Sequence, residues 1–123
     1  MNSPFWLVGA LSAASSVGIG AFGAHGLKNR GLEPAKIASF QTAAHYQLVH
    51  SIALLVAEHA APKNLWAKSL FTAGITMFSG SIYLLVLDGQ TFKSLGPVTP
   101  LGGMCLMGGW IALAFGSRGR IMM

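Results

Sequence analysis

Four apolar stretches alternate with short polar breaks along this chain, each near the length that crosses a bilayer. The first runs from Phe5 to Ala24 without a charged residue, about the 20 positions needed to span a hydrocarbon core. Within it Gly9, Ala13, Ser16, Gly20 and Ala24 recur every three or four residues, which predicts one smooth helical face that another helix can approach closely. The residues before it, Met1 to Pro4, lack a basic group. The run also exceeds the usual apolar region of a secretory signal, so a retained span is expected.

His25 to Glu33, with Lys28, Asn29, Arg30 and Gly31, reads as a polar turn. Pro34 then suits the first turn of a new helix, where its missing N–H leaves nothing unpaired. That helix is expected over 34–60, with its membrane-crossing part over 37–60, and is the least apolar of the four. Pro62, Lys63 and Asn64 end it. The third span covers 65–87. Trp66 and Lys68 at its start fit the headgroup layer, where indole rings settle and lysine can snorkel. Asp88 and Gly89 close it, and Gly96, Pro97 and Pro100 deny a helix to the connection that follows. The fourth span covers 100–116, carries a second small-residue stripe at Gly108, Ala112 and Gly116, and stops at Arg118 and Arg120. The pattern predicts an all-α membrane protein, a four-helix transmembrane bundle with short loops, in one domain over 1–123.

Composition points the same way. Of 123 residues, 53% are apolar and 9% charged, against about 25% charged in a soluble domain. The 16 glycines lie among Leu, Ala, Phe and Met, as in packed transmembrane helices rather than in disordered chains. The net charge of +5 comes from residues scattered through the breaks, with no basic face interleaved with aromatics. They read as anchors against phospholipid headgroups, and no nucleic-acid partner is expected. Four basic residues fall on each side of a four-span layout (Lys63, Lys68, Arg118 and Arg120 against Lys28, Arg30, Lys36 and Lys93), so the insertion sense is left open. Cys105, the single cysteine, excludes an internal disulfide and a thiolate cluster.

The chemistry-bearing residues concentrate in the second helix. Gln41 and His45 share one face; Tyr46 and His50 share another, one residue round. His45 and His50 lie about 140° apart around the axis, so they do not form a two-ligand metal face. Bis-histidine haem would need a histidine facing in from another span, and His25 and His59 sit at helix ends. No metal and no cofactor are expected. Gln41, His45, Gln47 and His50 can bond across helices to hydroxyls and carbonyls, fixing register at below about 1 kcal/mol each. Alternatively Gln41, His45, Tyr46 and His50 bind a small molecule such as a quinone or lipid, relay a proton or pass a small solute. Glu58 and Asp88, at span ends, are expected to pair with Lys63 and Lys93. Ser79 and Ser81 have no histidine nearby in sequence and read as packing hydroxyls rather than nucleophiles. No catalytic residue is assigned.

Four segments together carry a resemblance. They are Gly20 to Lys28 (GAFGAHGLK), Tyr46 with His50, Phe78 to Tyr83 (FSGSIY), and Thr99 to Gly103 (TPLGG) with Gly109 and Trp110. Over nearly its whole length the chain resembles the small membrane proteins of the transmembrane protein 256 type, a domain-of-unknown-function family of bacteria and mitochondria-containing organisms. The resemblance implies four spans and no established activity. It adds emphasis to His25, Tyr46, His50, Ser79, Ser81 and Tyr83 as motif positions. The expected role is that of a non-enzymatic component of the lipid bilayer that packs against itself or another membrane subunit, as a homo-oligomer or within a larger complex. The bacterial inner membrane is the expected location, or the mitochondrial inner membrane in a eukaryote.

Overall fold

The computed structural model describes residues 4–116. Arg118 and Arg120, expected to stop the last span, lie outside them. Among the described residues the chain is all-helical, built from four rods. The first is α1 (Pro4–Phe22) continued by a π-helical turn, Gly23–Leu27. The second is α2 (Pro34–Ala60). The third joins α3 (Leu65–Gly74), a π-helical turn (Ile75–Ser79) and α4 (Gly80–Leu87). The fourth is α5 (Val98–Phe115), preceded by a short 3₁₀ turn, Lys93–Leu95. Three stretches, Pro4–Leu27, Leu65–Leu87 and Lys93–Phe115, are long and apolar enough to cross a membrane. The second rod does not qualify because it carries the polar side chains noted above.

Most boundaries fall where the sequence places them, and Pro34 does occupy the first turn of α2. The first break is shorter than expected. Helical structure continues through His25, and the chain reverses at Gly31, whose φ of 76° is open to glycine but strained for a side chain. The second rod packs between the first and third, and the fourth lies along the third. Ala53, Leu54 and Ala57 meet Ala67, Phe71 and Leu106 in the main core. Leu27, Phe40 and Val86 form a second cluster towards the other end.

Small residues set how closely these rods approach. On the first rod the buried positions are Gly9, Ser16, Gly23 and Leu27; Ala24, expected on this seam, is exposed. A methyl group at Gly23 would stand 2.7 Å from the Phe40 ring. On the fourth rod the buried seam is Gly102, Leu106 and Gly109. The expected stripe of Gly108, Ala112 and Gly116 is half-buried beside it. The outer faces carry exposed Leu7, Leu11, Val17, Leu101, Met104 and Ile111, as a lipid-facing surface does.

The rod ends correct two expected pairings. Glu58 pairs with Lys68 at 2.8 Å rather than with Lys63, because Lys68 sits on the inner side of its helix, buried and 5.0 Å over the Phe5 ring. It does not snorkel. Asp88 is held by the Thr91 hydroxyl at 2.7 Å and the Thr91 amide at 3.2 Å rather than by Lys93. Those bonds keep its carboxyl below the usual carboxylate range. Trp66 is exposed at its rod's start, as expected. Asn64 caps α3 through the Ala67 amide and donates to the Ala112 carbonyl at 2.9 Å, tying the third rod's start to the fourth rod's end.

Candidate functional site

The buried face of α2 is Phe40, Ala43, Ala44, Gln47, His50, Ser51, Ala53, Leu54 and Ala57, the spacing of one helical stripe. Its polar members bond to every other rod. Gln47 donates from Nε2 to the Ser12 carbonyl on the first rod at 2.8 Å. Its Oε1 accepts from the Tyr83 hydroxyl on the third rod at 2.6 Å. The Ser51 Oγ lies 2.7 Å from the Ser12 Oγ and 2.5 Å from the Gln47 carbonyl. From the third rod, Ser79 donates to the Ala43 carbonyl at 2.7 Å.

His50 faces the fourth rod. Its Nε2 accepts the indole N–H of Trp110 at 2.9 Å, so Nε2 carries no proton. Its Nδ1 stands 2.8 Å from the Tyr46 carbonyl and must be the N–H that donates there. The two partners together specify one neutral tautomer. An imidazolium would set a second N–H against the indole N–H. Around the ring pack Tyr46, stacked at 5.7 Å and 25°, Phe71 at 5.9 Å and Trp110 at 5.7 Å. Both ring nitrogens are engaged, leaving neither for a metal or haem iron.

The expected site residues therefore divide. Gln41 turns to the first rod and donates to the Gly20 carbonyl at 3.0 Å. His50 turns to the fourth. His45, expected to point inward with Gln41, is exposed, because its position falls outside the buried stripe. Tyr46 is 41% exposed and packs against Phe78 at 5.0 Å. Among the motif positions, Ser79 and Tyr83 serve the second rod as described, and Ser81 bonds Thr99 at 2.5 Å. His25 is exposed on the π-helical turn. Gln47 bonds across helices as expected, although it was not among the small-molecule candidates, and Trp110 had been given no partner. Gln47 lies three and four residues before His50 and Ser51, which puts all three on one face.

Grooves run beside the second rod, and two of them reach its polar stripe. One, of about 330 Å³ between the first and third rods, is floored by Gln47 and Tyr83, whose polar groups bond to one another. The other, of about 400 Å³ between the second and fourth rods, is lined by His45, Tyr46, Val49, His50, Gly103, Leu106, Met107 and Trp110. Among the described residues no cluster of three or more His, Cys, Asp or Glu could hold a metal ion.

Residues 19–103 match the family described as "Protein of unknown function (DUF423)". The chain is 43% identical to a UPF0382 membrane protein of Staphylococcus aureus, covering 89% of this chain and 90% of that one. It is 40% identical to a UPF0382 membrane protein of Schizosaccharomyces pombe, over 88% and 96%. A Bacillus subtilis relative, the UPF0382 membrane protein YwdK, is 36% identical over 89% and 91%. No solved structure matches.

Proposed function

This chain belongs to the DUF423 family of small membrane proteins, and on that premise we propose that it is a four-span, non-enzymatic membrane component that docks a second helix-bearing subunit, either another copy or a different protein. The second rod crosses the bilayer in this reading because its inward polar groups are bonded to the other rods, so its lipid exposure is smaller than its composition suggests. The bacterial inner membrane is the setting, or the mitochondrial inner membrane in a eukaryote.

One observation carries the docking role. Ala10, Ala14 and Gly18 are exposed at four-residue spacing on the outward side of the first rod, and a methyl group at Gly18 would meet nothing within 4 Å. Small residues repeated in this way let a second helix approach to backbone distance, where dispersion and weak Cα–H contacts hold it. The stripe that faces the second rod packs within the chain, while this one is exposed among the described residues. Native mass spectrometry of the protein released from lipid particles tests the reading. The wild type should appear in an assembly, and Gly18→Ile should release it as a 12.8 kDa chain while Val17→Leu should not. An assembly indifferent to Gly18→Ile, or a wild type that is always a lone chain, overturns it.

A further inference from the structure

We propose that the groove between the second and fourth rods is a binding site for a lipid-soluble planar ring bearing carbonyl oxygens, the quinone class of molecule. His45 and Tyr46 line it, and neither the His45 ring nor the Tyr46 hydroxyl has a hydrogen-bond partner among the described residues. His45 stands 11 residues from Pro34 and 15 from Ala60, about 17 and 22 Å along the axis at 1.5 Å per residue. That is close to the middle of the rod. An imidazole and a phenol at mid-bilayer depth facing acyl chains forgo bonds that nothing in hydrocarbon can replace.

The rest of the lining narrows the ligand. Val49, Leu106 and Met107 are apolar, and Tyr46, His50 and Trp110 offer ring surfaces. The Trp110 N–H and both His50 nitrogens are already bonded, so the polar capacity on offer is the Tyr46 O–H and the His45 ring. Those donors suit one or two carbonyl oxygens on an otherwise apolar body. Among the described residues no lysine or arginine lines the groove to neutralise a phosphate, and headgroups do not reach this depth, so a phospholipid headgroup is a poor fit. The volume of about 400 Å³ lies within the range of small-molecule sites, and is too small for a whole helix.

The inference rests on the second rod crossing the bilayer, but not on the docking stripe of the first. The chain has three tryptophans, and Trp6→Phe with Trp66→Phe leaves Trp110 as the reporter. In phosphatidylcholine nanodiscs, a decyl-substituted benzoquinone should quench Trp110 saturably. Tyr46→Phe keeps the ring stack and should weaken half-saturation about tenfold, as the loss of one hydrogen bond does. Gly103→Leu should abolish saturation by filling the groove. Linear quenching that is equal in all three proteins means partition into lipid alone and overturns the proposal. So does loss of assembly on Gly103→Leu without saturable quenching in the wild type, which would give the groove to a protein partner. Lipids brominated midway along their chains separate this from failure of the four-span reading. Strong bromine quenching of Trp110 with no saturable quinone effect sinks the groove alone; absence of bromine quenching sinks both.

Discussion

Trp110 and His50, 60 positions apart, meet through an indole N–H and an imidazole Nε2 at 2.9 Å. This bond joins the most polar rod to one of the most apolar, and it does so at the edge of a groove. Its consequence is chemical as well as mechanical. With Trp110 donating on one side and the Tyr46 carbonyl accepting on the other, the ring is held as a neutral Nδ1–H imidazole. A proton relay through His50 would require Trp110 to leave first.

Removing one partner should therefore cost more than removing both. Trp110→Phe keeps an aromatic ring beside Phe71, now 5.1 Å from the indole, yet strips Nε2 of its donor. The expected loss is about 1–3 kcal/mol, the penalty for an unpaired group away from water. The double variant Trp110→Phe with His50→Phe removes the orphaned acceptor and should recover part of that loss. Melting curves in detergent, compared with His50→Phe alone, check the order. A double variant no more stable than Trp110→Phe would show that packing, not the bond, holds the two rods together.

Gln47 is the point where three rods meet, through Ser12 on one side and Tyr83 on the other. Interhelical hydrogen bonds in membranes average about 0.6 kcal/mol as pairs, but Tyr83→Phe leaves the buried Gln47 Oε1 without its donor and should cost about 1–3 kcal/mol. Gln47→Glu should do much worse, since a carboxylate cannot donate to the Ser12 carbonyl and brings a charge to a buried site. A double-mutant cycle on Gln47→Leu and Tyr83→Phe measures their coupling directly. A coupling indistinguishable from zero would mean the 2.6 Å contact contributes nothing to stability.

The rods themselves were legible because apolar runs, Pro34, Asn64 and Pro97 each act locally, whereas Pro100, expected in the connection, falls in the first turn of α5. The facing of the second rod was less so. Pairing Gln41 with His45 is sound helical geometry, but it names a face without saying which neighbour lies beyond it. That depends on where Gly9, Gly23, Gly102 and Gly109 let the rods approach, and those distances are tertiary. Glu58 shows the same limit. Lys63 is the nearer basic residue in sequence, while Lys68 is the one whose helix turns it inward. The π-helical turns left no readable signal, since neither Gly23–Leu27 nor Ile75–Ser79 departs in composition from ordinary transmembrane helix. The family resemblance, by contrast, rested on short motifs in all four rods and held.

The Lys68–Glu58 pair gives a prediction outside the polar stripe. Lys68 Nζ bonds Glu58 at 2.8 Å and the Pro62 carbonyl at 2.5 Å, with its side chain only 4% exposed. Glu58→Gln leaves this buried ammonium without its counter-charge and should cost about 3–5 kcal/mol if no water reaches it. Glu58→Gln combined with Lys68→Met should be less damaging than Glu58→Gln alone. Thermal unfolding of the wild type and these two variants decides the matter. Equal losses would mean that the pair is solvated and weak.

Two neighbouring glycines on the fourth rod should respond oppositely to an added methyl group. A methyl group at Gly102 would collide with the Phe78 backbone nitrogen and lie 2.8 Å from the Met77 carbonyl carbon, and backbone cannot swing aside as a side chain can. Phe78 and Met77 belong to the π-helical turn Ile75–Ser79, which widens the third rod at the point where the fourth is closest. Gly102→Ala must therefore push the fourth rod away from the third, opening contacts along Gly109 and Leu106 and stretching the Trp110–His50 bond. Overpacking of this kind costs about 1–3 kcal/mol. At Gly103, one position on, the same methyl group meets only the Phe78 ring at 3.7 Å, an ordinary contact, and replacing a helical glycine gains up to about 1 kcal/mol. Gly103→Ala should thus be neutral or stabilising where Gly102→Ala is destabilising, and the Trp110 emission should shift in the second variant only. Equal behaviour of the two variants would mean that the third and fourth rods do not meet at the π-helical turn.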